Sequence, residues 1–202
     1  DKLPFKKAGV NVMVVPYVTP YKKRKVRILN GAHTAFVPGS WVAGFDIVRD
    51  CMHDETIRGF MNTMLYDEVI PTLAADLDVE DCKAFTAAVE NRFDNPFIDH
   101  ALLSICLNST AKWRARDLPT LKDYVAETGN LPKCLSTSLA TLIAFYTQEL
   151  VAREGDGLHL RRADGTEYTA QDDAFVLDFY AAHACVEDAE LVHDVLTNEQ
   201  MW

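Results

Sequence analysis

The sequence predicts a mostly α-helical domain with one small β-hairpin late in the chain. Three observations carry that expectation. Apolar residues recur at helical spacing through most of the 202 residues. Helix-capping and helix-breaking residues stand between those stretches. One stretch near residues 158–168 alternates instead, and Asp164-Gly165 divides it as a hairpin turn does.

Taken in order, residues 1–20 read as extended. Val10, Val12, Val14 and Val15 are β-branched, and Pro16 and Pro20 oppose a continuous helix. A basic run, Lys22-Lys23-Arg24-Lys25-Val26-Arg27, follows. Helical spacing starts at Val26 with Ile28, Leu29, Ala32, Ala35 and Phe36, and Pro38-Gly39 predicts an interruption before Trp41. Asp54 predicts the N-cap of a helix reaching about Val69, with Ile57, Phe60, Met61, Met64 and Leu65 on one face and Pro71 as its break. Asp78 caps the next helix. Asn95-Pro96 is a turn, and helical spacing resumes at Phe97, Ile98, Ala101 and Leu102. A helix over Leu118–Thr128 ends at Gly129. Pro132 opens a long one through Leu135, Leu139, Leu142 and Phe145. Two helices, about 172–185 and 188–196, close the chain.

Composition narrows the function. The formal net charge is −10, which argues against nucleic acid or an anionic membrane as partner. No run of eighteen apolar residues predicts a membrane span, and no signal peptide opens the chain. Cys51, Cys82, Cys106, Cys134 and Cys185 form an odd set without metal-ligand spacing, and read as reduced, mostly buried thiols of a cytoplasmic protein. His53, His159, His183 and His193 show no metal pattern either, so no metal is expected. Ser40, Ser109 and Ser136 lack the setting of a hydrolytic nucleophile. No GxGxxG follows a strand and no P-loop is present.

The chemistry concentrates in Lys25-Val26-Arg27-Ile28-Leu29-Asn30-Gly31-Ala32-His33. Asn30 and His33 are neighbours on one helix face. A lysine that is desolvated among other cations can act as a base near neutrality. An amide can donate to a developing oxyanion, and an imidazole can orient a hydroxyl. Those groups suit hydride transfer on or off a carbinol carbon. The same residues also fit a solvated basic stretch with an incidental Asn and a satisfied histidine. Arg92, just before the Asn95-Pro96 turn, is either a carboxylate clamp or a helix-end arginine bonded to free carbonyls. His100 and Lys112 are uninformative by themselves.

Lys25 to Thr34 resembles the K-x-x-x-x-N-x-x-H motif of the mannitol dehydrogenase family of polyol-specific long-chain dehydrogenases, and Arg92-Phe-Asp-Asn95-Pro96 is similar to its RFxNP segment. Ile28 to Thr34, Asn95 to His100 and Leu142 to Tyr146 look most like the altronate oxidoreductase (tagaturonate reductase) branch. The resemblance runs from about Pro4 to about His183. It implies the multi-helical C-terminal domain of a 6-phosphogluconate-dehydrogenase-like, mannitol dehydrogenase type. It implies that residues 1–24 are an interdomain segment and 25–202 the substrate and catalytic domain. It also implies a Rossmann domain outside this chain that binds NAD and is its partner, so that the chain alone binds NADH poorly and turns over little. Lys25 would be the general acid/base, Asn30 would polarise the reacting oxygen and His33 would orient it. Arg92, His100 and Lys112 would face a hexuronate. Fructuronate reductases and mannitol dehydrogenases share the core motif, and a non-catalytic helical interaction module is the reading from another class.

Overall fold

The computed structural model describes residues 4, 5, 7–10 and 12–202. Of the segment expected to be extended, residues 1–3, 6 and 11 lie outside the described ones. The rest is irregular as far as Val18, and Thr19–Arg24 is a helix, α1. Pro20 stands in its first turn, where proline costs no hydrogen bond, so the residue read as a helix breaker is a helix starter.

From Thr19 the chain stays helical to Val42. A π-helical segment, Lys25–Asn30, joins α1 to α2, Gly31–Val42. The interruption expected at Pro38-Gly39 does not occur. Proline inside a helix costs on the order of 3 kcal/mol, and here burial offsets that cost: Ala32, Ala35, Phe36, Val37 and Trp41 are all in the core. Gly39 has the reverse role from the one expected. A Cβ there would meet the Thr141 side chain at 3.0 Å, so its absence lets α2 lie close along a later helix.

The helices α3 (Val48–His53) and α4 (Glu55–Thr63) follow. Asp54 caps α4 as expected, accepting from the amides of Thr56 and Ile57. The helix continues through a second π-helical segment, Met64–Val69, and a short 3₁₀ turn at Pro71–Leu73. Asp78 caps α5, Val79–Phe93, through the Asp81 amide. Asn95 makes the expected turn, its Oδ1 accepting from the Phe97 amide. Helix does not resume at Phe97, however. Arg49 donates to the carbonyls of Asn95 and Pro96 and pairs with Asp99 at 2.6 Å, so residues 95–99 are held as a loop and Phe97 is 92% exposed.

The chain then forms α6 (Leu102–Ile105), α7 (Ser109–Arg116), α8 (Leu118–Thr128) and α9 (Lys133–Tyr146). Gly129 ends α8 at φ +70°, the left-handed value for which the C-cap glycine was read. Pro132 offers α9 no side-chain cap. Glu68, 5% exposed, supplies one from the second π-helical segment by accepting from the amides of Cys134 (2.7 Å) and Leu135 (2.9 Å).

The hairpin is part of a three-stranded antiparallel sheet in the order β1 (Glu149–Glu154), β2 (Gly157–Arg161), β3 (Glu167–Ala170). The first strand escapes a pattern search because a bulge between Leu150 and Ala152 breaks its alternation. Leu158, Leu160, Tyr168 and Ala170 bury one face. Arg162, 6% exposed, ties the sheet to α2 by donating to the Trp41 carbonyl with its guanidinium over the indole. The helices α10 (Ala174–Ala182) and α11 (Asp188–Leu196) close the fold. One contiguous core results, with α2 packed along α9 near its centre. Cys51, Cys82 and Cys106 are buried free thiols and Cys134 is half-buried, but Cys185 is exposed, against the expectation of a core thiol. Among the described residues no helix is long and apolar enough to cross a membrane.

Candidate active site

The π-helical segment sets the geometry of the motif. An α-helix advances about 100° per residue, which puts positions i and i+5 on different faces. A turn closed by i→i+5 bonds is wider and brings such positions toward the same side. Lys25 and Asn30 are the first and last residues of this segment, and His33 follows one turn into α2.

Lys25 is exposed and Asn30 and His33 are half-buried. Three of the basic residues flanking Lys25 are occupied elsewhere. Lys23 pairs with Asp76 at 2.6 Å, Arg27 turns inward to Asp123 at 2.6 Å, and the Arg24 guanidinium lies 4.6 Å from the centre of the Phe85 ring. Among the described residues the Asn30 side chain makes no hydrogen bond. Its carbonyl accepts from the Thr34 hydroxyl at 3.0 Å and from Arg116 at 3.4 Å.

His33 is the centre of the site. Its ring stacks on Phe93, centroids 4.1 Å apart, and meets the His100 ring edge-on at 5.5 Å. Burial pushes its pKa down to about 3, assisted by the positive charges of His100, Arg116, Lys112 and Lys25. The imidazole is therefore neutral near pH 7, with one nitrogen able to donate and the other to accept. Its Nε2 is buried and has no hydrogen-bond partner among the described residues. A buried polar atom left unpaired costs free energy and marks a place where a ligand atom would be welcome.

His33 is also one of the residues lining a cavity of about 180 Å³, with Val48, Arg92, Phe93, Ile98 and His100. No carboxylate is among those residues. Arg92 is exposed and makes no hydrogen bond or ion pair among the described residues, so it is not the carbonyl-bound helix-end arginine of the bland alternative. The lining thus unites His33, Arg92 and His100. It does not include Lys25, Asn30 or Lys112. Lys112 is half-buried, donates to the Ile105 carbonyl at 2.9 Å, and is held below the usual lysine range by burial and then by Arg116. A larger cavity, about 410 Å³, lies among Trp113, Leu121, Leu139, Ile143 and Trp202, but it is apolar and holds none of the motif residues.

Sequence reading missed Arg116. Its guanidinium acts on His33 and bonds both Asn30 and Thr34. The available signal was its position four residues after Lys112, which stacks two like charges on one helix face at some cost.

Residues 17–202 match the mannitol dehydrogenase C-terminal domain family. The chain belongs to this family. It is 41% identical over its whole length to an altronate oxidoreductase of Yersinia enterocolitica and 44% identical to one of Klebsiella pneumoniae. It spans only about 40% of the length of the first and 39% of the second. Among solved structures it is similar to Pseudomonas fluorescens mannitol 2-dehydrogenase, described as a ternary complex with NAD and D-mannitol. The TM-score is 0.78 at 22% identity, covering 98% of this chain and 36% of that one. A D-sorbitol dehydrogenase gives a TM-score of 0.74 at 20% identity, covering 91% and 35%. At such identities the likeness concerns the mannitol dehydrogenase C-terminal fold.

NAD, which the resemblance implies, does not fit the elements of this mannitol dehydrogenase C-terminal domain. The three strands are antiparallel, and the turn from β3 into α10 is Gln171-Asp172-Asp173, without a glycine. A dinucleotide cradle needs a parallel strand feeding a glycine-rich turn at a helix N-terminus. No residue described here is assigned to the cofactor.

Proposed function

We propose that this chain is the substrate-binding and proton-transferring part of an NAD-dependent oxidoreductase that interconverts tagaturonate and altronate. The observation that carries the reading is His33, with a buried and unpartnered Nε2, lining a cavity edged by Arg92 and His100 and free of lining carboxylates. Such a site suits a small molecule bearing both hydroxyls and a carboxylate. The altronate oxidoreductase relatives support the same substrate class.

The residues of this chain act on the reacting oxygen. NAD held by a separate domain would supply the hydride to the carbon in reduction and take it up in oxidation. In reduction the oxygen takes a proton from the Lys25 ammonium to become the hydroxyl. In oxidation neutral Lys25 takes that proton back. Asn30 donates its amide N–H to the oxygen as negative charge builds there. His33, neutral, offers Nε2 to the same oxygen or to the next hydroxyl. Arg92 and His100, which line the cavity, meet the carboxylate, and Lys112, outside the lining, adds its positive charge. Lys25 is exposed in this chain. Docking of a nucleotide-binding domain over its face would desolvate it, which favours the neutral amine able to accept a proton.

The test is NADH oxidation by the longer protein containing this chain, with tagaturonate, fructuronate and fructose offered separately. Turnover with tagaturonate ahead of the others is expected. Activity on fructose alone would move the chain to the polyol side of the family. No turnover with any of the three, in a folded protein, would favour an interaction module.

A further inference from the structure

We propose that Arg116 is a positioning residue for Asn30 and His33, fixing the helix backbone between them through the Asn30 carbonyl and the Thr34 hydroxyl. The inference rests on the reading that Asn30 and His33 act on the sugar acid.

The contact is specific. Arg116 Nη1 donates to Thr34 Oγ1 at 3.0 Å and to the Asn30 carbonyl at 3.4 Å, across 82 and 86 residues of sequence. The Thr34 hydroxyl in turn donates to the same carbonyl at 3.0 Å. Two groups, the guanidinium and the hydroxyl, therefore close on the last residue of the π-helical segment, where the hydrogen-bond pattern changes from i→i+5 to i→i+4. A backbone at such a change has freedom that a regular helix lacks, and a cross-link from another helix removes it.

The helix that carries Arg116 is itself well anchored. Trp113, fully buried one turn earlier, donates its indole N–H to Ser138 of α9 at 3.0 Å. Asp117, next in sequence and 1% exposed, presses against the other side of the same turn. A Cβ at Gly31 would stand 2.8 Å from its Oδ1. The junction of α7 and α8 thus grips the backbone at Asn30 and Gly31 together.

Charge gives Arg116 a second effect. The groups acting on or lining the site of His33 are Lys25 of the π-helical segment, Arg92 of α5, His100 of the loop before α6, and Lys112 and Arg116 of α7. Burial holds the adjacent carboxyl of Asp117 well above the usual carboxylate range in spite of Arg116, which weakens its opposition to the guanidinium charge. Removing the guanidinium therefore raises the pH at which His33 takes a proton.

The experiment compares Arg116→Gln, Arg116→Lys and Thr34→Val with the parent in the longer protein. It reads kcat, KM and the acid limb of the pH profile with tagaturonate. Misplacement by about 1 Å can cost on the order of a hundredfold in rate, so Arg116→Gln is expected to lose roughly ten- to a hundredfold in kcat with KM changed far less. Its acid limb should move to higher pH. Arg116→Lys keeps the charge and should leave the limb in place with part of the rate recovered. Thr34→Val should lower kcat without moving the limb, and with Arg116→Lys it decides the matter if Arg116→Gln does not fold. A folded Arg116→Gln protein with kcat within twofold of the parent and an unmoved limb would overturn the proposal. Should the parent turn over no tagaturonate, the functional reading fails separately. Amide hydrogen exchange at Asn30 to Thr34 in this 202-residue chain then decides the positioning role: faster exchange in Arg116→Gln and Thr34→Val supports it, and unchanged exchange refutes it.

Discussion

His33 stacks on Phe93 with ring centroids 4.1 Å apart and planes inclined by 20°, and in that buried position the imidazole stays neutral and its Nε2 has no partner among the described residues. An imidazolium on that face would lose its water and gain the repulsion of four cationic side chains. The chain thus holds a hydrogen-bonding group of fixed charge beside side chains that attract anions.

One consequence concerns stability and pH. The folded pKa of His33, about 3, lies below the ordinary value of 6.5. As pH falls, the unfolded chain takes up this proton first. The stability that neutral His33 contributes is whole above about pH 6.5 and is lost as pH drops from there toward 3, by at most about 1.4 kcal/mol per pH unit. Gln has no such proton. Thermal melts between pH 7 and pH 4 should decline less steeply for His33→Gln than for the parent, and parallel declines would contradict the burial account.

A second concerns Glu68, whose carboxylate caps α9 from a distance of 66 residues. Glu68→Ala leaves two amides of the first turn without their acceptor, at roughly 1–3 kcal/mol for each that stays buried. Glu68→Gln keeps one oxygen and should lose less. Urea unfolding reads both. A Glu68→Ala chain as stable as the parent would mean that water replaces the cap.

These two groups show what a sequence reveals and what it hides. Asp54, Asp78 and Gly129 are legible because a cap bonds within four residues of itself. Lys25, Asn30 and His33 are legible as a group because they share one short stretch, and Arg92 because it precedes a turn. Glu68 and Arg116 act on backbone far away, so no local pattern announces them. The helix through Pro38 and the strand at Glu149–Glu154 were missed for a related reason. Burial outweighs proline in the first, and pairing with β2 makes the second despite its bulge. The π-helical turn was also invisible, since six helical residues look alike whether their bonds span four or five positions.

A third expectation separates binding from folding. Arg92 is exposed and makes no internal bond among the described residues, so Arg92→Ala should change stability by no more than about 0.5 kcal/mol. A lost charge-assisted hydrogen bond to a carboxylate is worth about 1.5–3 kcal/mol, so KM for a sugar acid should rise roughly ten- to a hundredfold. Lys112→Met, by contrast, also gives up the bond to the Ile105 carbonyl and should lower stability as well. Equal KM values for parent and Arg92→Ala would remove Arg92 from the site.

The central claim is proton transfer by Lys25, and one measurement addresses it directly. Tagaturonate-dependent NADH oxidation is compared between the longer protein and its Lys25→Ala form, with the melting temperature of each as a control. Lys25 is exposed, so the melting temperature should hold. Loss of a general acid should lower kcat by about 10²–10⁴-fold. A Lys25→Ala protein that keeps its fold and its rate would contradict the account.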